Sequence, residues 1–343
     1  MSGHRPLRIL ITRLSAIGDC VLTLPVLNAL RDHFPDAFLA WAVESTSAPL
    51  LEGHASLDQL IVAKRNWLKR PSELWKLRRE MRRLDFDITI DPQSLTKSSL
   101  LAKLSGAKRR IGFAGEDGRE LSQWLNNQRV MRSKPHMVDR SLELLQPLGI
   151  RRPSVRFDLP RFDPSDAKMQ DYLSSCSWKS GFAILNMGAG WPSKLWPAER
   201  YGRVAAFLGS SCLLPTLVIW AGDEERMRAA VCGDHSGGYA TVAPATSLTE
   251  LACLIRRSAL FVGSDTGPLH LAAALGTPCV GLYGPTLPQV CGPYGVCHQS
   301  VQRVYHAGGH RERREAENEA MRTITAQDVC DACGTALQHS AAA

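Results

Sequence analysis

One stretch in the last third of the chain, Val262–Thr286, constrains the fold more than any other. It reads as a short apolar strand, an acidic Gly/Pro turn, a short helix and, after Gly-Thr-Pro, a second strand. This order is typical of a βαβ unit in a parallel sheet. The turn Ser264–Pro268 supplies a hydroxyl, a glycine and a proline where the helix begins. Because free N–H groups in the first turn of a helix attract anions, this segment predicts a phosphate or pyrophosphate site, with an ordinary strand-to-helix turn as the alternative.

Short apolar runs alternate with helical patterns through the first 160 residues, and a second such series begins at Phe182. The alternation predicts two α/β units, each with a doubly wound parallel sheet. A chain of 343 residues is also longer than single cores usually grow. The Pro-rich segment Arg151–Pro164 is the expected boundary. We therefore predict one domain over 1–165, a second over 166–322, and a C-terminal helix and tail over 323–343.

Composition excludes several classes of protein. No apolar run approaches the length of a membrane span, and the N-terminus lacks the apolar segment of a signal peptide, so we expect a cytoplasmic protein. The ten cysteines are scattered, mostly within apolar runs, and are expected to be reduced. The closest pair, Cys330 and Cys333, lacks the second pair of ligands that a zinc site needs, so no metal site is predicted.

The net charge of +8 is concentrated in one half of the chain: residues 1–160 carry 26 Lys and Arg against 17 Asp and Glu, whereas residues 161–343 carry 15 against 16. Nine basic residues fall within the twenty residues Lys64–Arg83, beside Trp67 and Trp75. Such a segment favours polyanions, among them anionic lipid surfaces and phosphorylated glycans, although a solvated helix face gives the same pattern. No nucleic-acid-binding motif accompanies it, so we expect no nucleic acid partner.

A carboxylate stands at the start of the first predicted helix. Asp19 ends the loop between the predicted strand Leu7–Thr12 and the predicted helix Cys20–His33. In open α/β sheets, ligands bind at the carboxyl edge of the strands, where this loop lies. A carboxylate at this edge can accept the proton of an acceptor hydroxyl, although capping of the helix explains the same residue.

A lysine occupies the corresponding loop of the second unit. Lys194 ends the segment Gly188–Lys194, which follows the predicted strand Phe182–Asn186. Together with the amides around Asp265–Leu269 and with His270, Lys194 can neutralise the charge that grows on a departing diphosphate. A surface lysine and a packing histidine are the alternatives.

Recognition of the nucleotide is expected after the next predicted strand, Thr216–Trp220. Glu225 follows this strand, and its carboxylate can bind ribose hydroxyls as in dinucleotide-binding folds. An acidic helix N-terminus explains the same residue.

Three segments resemble the bacterial heptosyltransferases of glycosyltransferase family 9, which build the lipopolysaccharide inner core from ADP-heptose. Arg8–Leu30 resembles the family's opening strand, Ser-x-x-Gly-Asp loop and first helix; Asn186–Ala205 resembles its donor-site loop, and Val262–Thr286 resembles its C-terminal half. The resemblance implies the GT-B architecture, in which two Rossmann-like doubly wound domains face each other across a cleft. It also implies inverting transfer of heptose from ADP-heptose to Kdo-lipid A, an anionic glycolipid, with peripheral contact at the cytoplasmic face of the inner membrane.

The same resemblance implies roles for individual residues. Asp19 matches the family's proposed base, and Lys194 its ligand of the leaving diphosphate; this scheme requires no metal ion and no cofactor. The other expected donor-binding residues are Ser193, Glu225, Thr246, Asp265, Thr266, Gly267, Leu269 and His270, and the expected acceptor-binding residues are Trp67, Lys69, Arg70 and Arg110. Thr246 departs from the larger apolar residue common at the adenine pocket, and His298–Arg314 resembles an insertion.

Other functions share these features. Another GT-B nucleotide-sugar transferase or an epimerase would have the same fold and donor site, because a fold does not determine a function. A glycan-binding or nucleotide-binding module without turnover is a further alternative, as is a protein that binds nucleic acid through Lys64–Arg83. A nicotinamide dehydrogenase is disfavoured, since neither first strand is followed by Gly-x-Gly-x-x-Gly.

Overall fold

The structure is a computed structural model that describes residues 5–176, 178 and 181–342. It contains two compact units, the first of which ends at Pro160 and the second of which begins at Arg161. Each unit is built on one six-stranded sheet in which all neighbouring strands are parallel. The predicted fold class, α/β with two Rossmann-like doubly wound units as in GT-B enzymes, is confirmed.

The first unit has the strand order β3-β2-β1-β4-β5-β6. Its strands are β1 (Arg8–Thr12), β2 (Phe38–Glu44), β3 (Gln59–Ala63), β4 (Ile88–Asp91), β5 (Arg109–Phe113) and β6 (Gln128–Val130). Its α-helices are α1 (Ile17–Val21), α2 (Leu24–His33), α3 (Pro71–Leu84), α4 (Thr96–Ser105), α5 (Ser122–Leu125) and α6 (Met137–Glu143).

The second unit repeats this topology with the order β12-β11-β10-β7-β8-β9. Its strands are β7 (Ala183–Asn186), β8 (Thr216–Ile219), β9 (Ala240–Val242), β10 (Leu260–Ser264), β11 (Cys279–Tyr283) and β12 (Gln299–Gln302). Its α-helices are α7 (Asp163–Ser175), α8 (Ala198–Ser211), α9 (Asp223–Asp234), α10 (Leu248–Arg257), α11 (Gly267–Ala274), α12 (Pro288–Cys291), α13 (His310–Glu315), α14 (Glu319–Arg322) and α15 (Ala326–Ala342).

Each sheet has a topological switch point at its centre. The chain runs outward from β1 through β2 to β3, crosses back to β4, and continues outward on the other side. The second sheet does the same from β7, with β10 as the strand after the crossover. Loops that leave the two central strands of such a sheet diverge and leave a crevice at the carboxyl edge, which is where ligands bind in this class of fold.

Apolar side chains explain why these segments pair at the centre of a sheet. Every residue of β10 and of β11 is buried, which is the pattern expected of strands covered on both faces.

The single predicted helix Cys20–His33 is wrong in one respect, because the structure has two helices there, α1 and α2. The helical conformation is interrupted between Val21 and Leu24, just before Pro25. Proline has no N–H group to continue a helix, so it begins α2 instead of extending α1.

The edge strands of the second sheet were not evident in the sequence. β9 and β12 are only half-buried, and β12 consists largely of polar residues, so neither gives a continuous apolar run. β12 pairs with β11 over four residues. The segment His298–Arg314, which resembles an insertion, therefore includes a strand of the sheet.

Among the described residues, no helix is both long enough and apolar enough to cross a membrane.

Candidate active site

Asp19 lies at the carboxyl edge of the first sheet, in the first turn of α1. One of its carboxylate oxygens, Oδ2, is 2.6 Å from Nη2 of Arg13 and accepts a hydrogen bond from the amide of Ala16 at 3.3 Å. Within the described residues, no hydrogen bond reaches the other oxygen, Oδ1. The side chain is 34% exposed. Asp19 is thus held in place through one oxygen and presents the other.

Arg13 connects the two central strands of this sheet. Its side chain is only 8% exposed, and its Nη1 donates to the carbonyl of Pro92, just after β4, at 3.0 Å. The amide of Leu14 donates to Oε1 of Gln93 at 2.9 Å, which ties the same two loops together a second time. The sequence analysis missed Arg13. Its position directly after β1, one loop away from a carboxylate, was the available signal.

The four residues expected to bind the acceptor have different environments. Lys69 and Arg70 are exposed in the turn that follows β3. Trp67, in the same turn, is only 2% exposed and belongs to the core cluster that includes Leu77 and Met81. The expectation that the side chain of Trp67 binds the acceptor is therefore wrong, because its ring is buried against α3.

Arg110 lies towards the amino ends of the strands, whereas Asp19 lies at their carboxyl ends. It is the second residue of β5, and its guanidinium donates to the carbonyls of Leu125 at 2.8 Å and Ala107 at 2.9 Å. Ala107 precedes β5, so these bonds hold the guanidinium at the amino end of the strand. The structure does not bring Arg110 together with Asp19.

A buried ionic cluster lies at the switch point of the second sheet. Lys194, after β7, places Nζ at 2.6 Å from Oδ2 of Asp265 and at 3.1 Å from the carbonyl of the same residue, which follows β10. Nε2 of His270, in α11, is 3.2 Å from Oδ1 of Asp265. The side chains of Lys194, Asp265 and His270 are 12%, 6% and 7% exposed. The structure thus brings together three residues that the sequence analysis placed in two separate loops.

The charge state of this cluster follows from its contacts. Burial alone would raise the pKa of Asp265, but the hydrogen bond with His270 and the positive charge of Lys194 outweigh burial and hold the pKa well below its usual range. Asp265 is therefore a carboxylate whose two oxygens face two nitrogen donors. Nδ1 of His270 is buried and has no hydrogen-bond partner among the described residues.

The loop that carries Lys194 is braced by α13. The hydroxyl of Ser193, which is 2% exposed, donates to the carbonyl of Arg313 at 2.6 Å. The ring of Trp191 lies 4.4 Å from Nζ of Lys194, and its centroid is 5.1 Å from that of His310. Because Ser193 is buried and engaged, its side chain holds the loop and does not face a ligand.

α11 begins at Gly267, two residues after Asp265. Thr266 occupies the N-cap position, and its hydroxyl accepts a hydrogen bond from Nδ2 of Asn186, at the end of β7, at 3.0 Å. Gly267 and Pro268 form the first turn, as predicted. Leu269 is fully buried, and its side chain packs against Gly281. The amides of Gly267 and Leu269 have no partner within the helix, as at the start of any helix, whereas Pro268 has no N–H group to offer.

Glu225 lies beside the first loop of the second unit. Its Oε2 accepts a hydrogen bond from the amide of Ala221 at 2.7 Å, and burial raises the pKa of its carboxyl group. A Cβ atom on Gly188 would collide with this carboxylate, so the carboxylate can keep this position only beside a glycine. Thr246 is half-buried in the loop between β9 and α10.

No group of three or more His, Cys, Asp and Glu side chains is arranged to hold a metal ion within the residues that the structure describes. All ten cysteines are free thiols.

Comparison with known proteins identifies the family. The model of glycosyltransferase family 9 (heptosyltransferase) matches residues 74–321. Lipopolysaccharide heptosyltransferase 1 of Escherichia coli K12 is 29% identical over 300 residues, which cover 84% of this chain and 91% of that protein. The structure of E. coli heptosyltransferase WaaC with ADP has a TM-score of 0.75 and 25% identity, over 95% of this chain and 98% of that one. A family 9 glycosyltransferase from Veillonella parvula has the same fold, with a TM-score of 0.80 over 97% of both chains at 23% identity. This chain therefore belongs to glycosyltransferase family 9, the heptosyltransferase family, and is a glycosyltransferase.

Proposed function

We propose that this enzyme transfers heptose from ADP-heptose to the Kdo-lipid A inner core of lipopolysaccharide, with inversion at the anomeric carbon. The observation that supports the donor most strongly is the buried cluster of Lys194, Asp265 and His270 beside the N-terminus of α11. A cation, a histidine and free helix amides at a switch point form a site suited to a diphosphate. The names of the relatives, lipopolysaccharide heptosyltransferases, support the sugar and the acceptor.

The diphosphate is proposed to bind between Lys194 and the first amides of α11. Asp265 positions both Nζ of Lys194 and Nε2 of His270 before the donor arrives. As the bond between the anomeric carbon and the diphosphate oxygen breaks, negative charge grows on that oxygen. Lys194 and the helix amides are already in place to stabilise this charge, so little reorganisation is required during the reaction.

Asp19 is proposed to act as the base. Its Oδ2 is held by Arg13 and the amide of Ala16, so Oδ1 is the oxygen that can take the proton of the acceptor hydroxyl. The acceptor oxygen forms its bond to the anomeric carbon on the face opposite the departing ADP. The proton moves to Oδ1, the electron pair of the broken bond leaves with ADP, and the configuration inverts.

Two further roles complete the proposal. Glu225, held against Gly188 at the end of the neighbouring strand, is placed to accept hydrogen bonds from the ribose hydroxyls, and Thr246 to line the adenine pocket. Lys69 and Arg70 are exposed after β3 and are proposed to bind the anionic groups of the acceptor.

The test is turnover of the purified enzyme with ADP-heptose and Kdo-lipid A, measured as ADP release and as heptosylated product. We expect release to depend on the acceptor, and the product to carry the anomeric configuration opposite to that of the donor. ADP-glucose and UDP-glucose serve as control donors and should give little product. Transfer from a control donor in preference to ADP-heptose, or retention of configuration, would contradict the proposal.

A further inference from the structure

We propose that Asp91 is a positioning residue for the proposed base. With Ser99 and Asn126 it fixes the turn that holds Arg13, and through Arg13 it sets the position of Asp19. Asp91 is the last residue of β4, at the carboxyl end of a central strand of the first sheet. No step of the proposed reaction uses this side chain. The inference rests on the proposed function in one respect, because it takes Asp19 as the base.

The side chain of Asp91 is a carboxyl group that is buried without a cation. Its exposure is 0%, and among the described residues it forms no ion pair. Instead, Oδ1 accepts a hydrogen bond from the amide of Ser94 at 2.9 Å, and Oδ2 accepts from the hydroxyl of Ser99 and, at 3.0 Å, from Nδ2 of Asn126. Burying a carboxylate is costly even with such donors, and an apolar side chain would fill this space at a lower cost. The acid therefore serves the turn and not the packing.

The turn that follows Asp91 has a strained backbone. Ser94 has a φ of 44°, in the left-handed region that residues other than glycine rarely adopt. Its hydroxyl donates to the carbonyl of Asp91 at 2.8 Å and accepts from the amide of Phe113, at the end of β5, at 2.9 Å. Strained conformations persist only where surrounding contacts enforce them, and they are concentrated at functional sites. The contacts of Asp91 and Phe113 thus hold the turn in a conformation that it would not adopt alone.

This turn carries two contacts that reach the loop of the base. The carbonyl of Pro92 accepts a hydrogen bond from Nη1 of Arg13 at 3.0 Å, and Oε1 of Gln93 accepts from the amide of Leu14 at 2.9 Å. Nη2 of Arg13 then lies 2.6 Å from Oδ2 of Asp19. Arg13 and Gln93 are both buried. A shift of the turn is therefore transmitted to the carboxylate of Asp19.

Asn126 completes the network from the far side of β5. It follows α5, and its Nδ2 also reaches the hydroxyl of Ser99 at 3.1 Å. A Cβ atom on Gly112, the residue of β5 that pairs with Asp91, would lie 2.2 Å from this nitrogen. Asn126 can therefore reach Asp91 only because β5 has a glycine at this point.

The test follows the loop of the base and the reaction separately. The main variant is Asp91→Ala, and Asn126→Ala is a milder variant that removes one donor of the network. The matched control is Asn28→Ala, in α2. Asn28 is also a buried asparagine of the first unit with two hydrogen bonds, to the carbonyl of Arg156 at 2.9 Å and to the hydroxyl of Ser56 at 3.0 Å. A cooperative thermal transition reports whether each variant is folded, and Asn126→Ala decides alone if Asp91→Ala does not fold.

The first readout is hydrogen exchange of the amide of Leu14, which donates to Gln93. We expect the two variants of the network to exchange about five- to tenfold faster than the wild type, the factor expected when one hydrogen bond no longer holds the turn. The control should exchange like the wild type. This readout needs no substrate, so it tests the inference even if Asp19 is not the base. Wild-type exchange in the network variants, or equally fast exchange in the control, would overturn the inference.

The second readout is steady-state turnover with ADP-heptose and Kdo-lipid A. A misplaced catalytic group slows the chemical step, so kcat should fall about 10- to 100-fold in the network variants while the KM for the donor stays within about twofold. Because the effect passes through Arg13, Asp91→Ala should cause no further loss of kcat in an Arg13→Gln background. Independent losses that multiply, or an equal fall of kcat in the control, would show a merely structural role and overturn the inference. Absence of turnover in the wild type would contradict the proposed function instead, and hydrogen exchange would then decide the inference.

Discussion

Asp265→Asn tests the buried cluster of the second unit most directly. The substitution keeps the shape of the side chain but removes the negative charge that faces Nζ of Lys194 at 2.6 Å. Lys194 then carries a positive charge in a site where only 12% of its side chain is exposed. Removing one partner of a buried ion pair costs about 3–5 kcal/mol, because the remaining charge is left uncompensated.

Two contacts reduce this cost. Nζ of Lys194 keeps its hydrogen bond to the carbonyl of residue 265 and its position over the ring of Trp191. Each is worth about 1 kcal/mol or less, so we expect Asp265→Asn to lower the free energy of unfolding by about 2–4 kcal/mol. Asp166→Asn is the comparison, because it breaks an ion pair that is more exposed: the side chain of Asp166 is 36% exposed and that of its partner Arg257 is 27% exposed. This substitution should lower the free energy of unfolding by less than about 1 kcal/mol.

The assay is urea unfolding read by hydrogen exchange on peptides that cover β7 and β10, so that the second unit is followed separately.

The ion pair of Lys194 and Asp265 also predicts that stability depends on pH. Since the pKa of Asp265 is lower in the folded protein than its ordinary value of 3.8, its stabilising contribution is complete above about pH 5 and is lost as the pH falls below that value. Asp265→Asn should lack this part of the acid dependence.

A double variant makes the reasoning refutable. In Lys194→Gln/Asp265→Asn no buried charge is left unpaired, so this protein should be more stable than Asp265→Asn alone. If Asp265→Asn is within about 1 kcal/mol of the wild type, or if the double variant is less stable than either single variant, the cluster is not a buried ion pair of the kind described.

Two further predictions concern the donor loop. Gly188→Ala should displace Glu225 through the collision with its carboxylate and weaken ADP binding at least tenfold in calorimetry. The control is Gly190→Ala, at a glycine with open space around it, which should bind ADP normally. Equal ADP affinities of the two variants would contradict the role of Glu225. Ser193→Ala removes the bond to the carbonyl of Arg313 and should raise the KM for the donor with a smaller change in kcat, because the loop loses a brace and not a ligand. An unchanged KM would show that α13 does not position Lys194.

The sequence was sufficient for the parts of the fold that depend on apolar runs. β10 and β11 are fully buried, and their apolar runs predicted both strands, while the turn Ser264–Pro268 predicted the short helix between them. β9 and β12 are the two edge strands of the second sheet and are only half-buried, so their residues form no comparable apolar run. Their place in the sheet is set by pairing with β8 and β11, which a single sequence does not display.

The candidate site was predictable by residue but not by contact. Lys194 and Asp265 were both selected, yet their ion pair joins loops 71 residues apart, and no local pattern encodes that distance. Arg13 was missed because a basic residue at the end of a strand is common and its partner Asp19 lies across a turn. Trp67 was misjudged because its basic neighbours are exposed, while its own ring fills a gap between β3 and α3.

The measurement that tests the central claim most directly is acceptor-dependent ADP release by Asp19→Asn, compared with Asp58→Asn. Asp58 is a matched control, since its carboxylate is also 2.6 Å from an arginine, Arg31, and its side chain is similarly exposed, at 41%. Unlike Asp19, it directly precedes a strand, β3, and so lies at the amino ends of the strands and not at their carboxyl ends. Loss of a general base should slow turnover by about 10²–10⁴-fold in Asp19→Asn, with ADP affinity unchanged, and leave Asp58→Asn near wild-type activity. Turnover of Asp19→Asn within a few-fold of that of Asp58→Asn would contradict the assignment of Asp19 as the base.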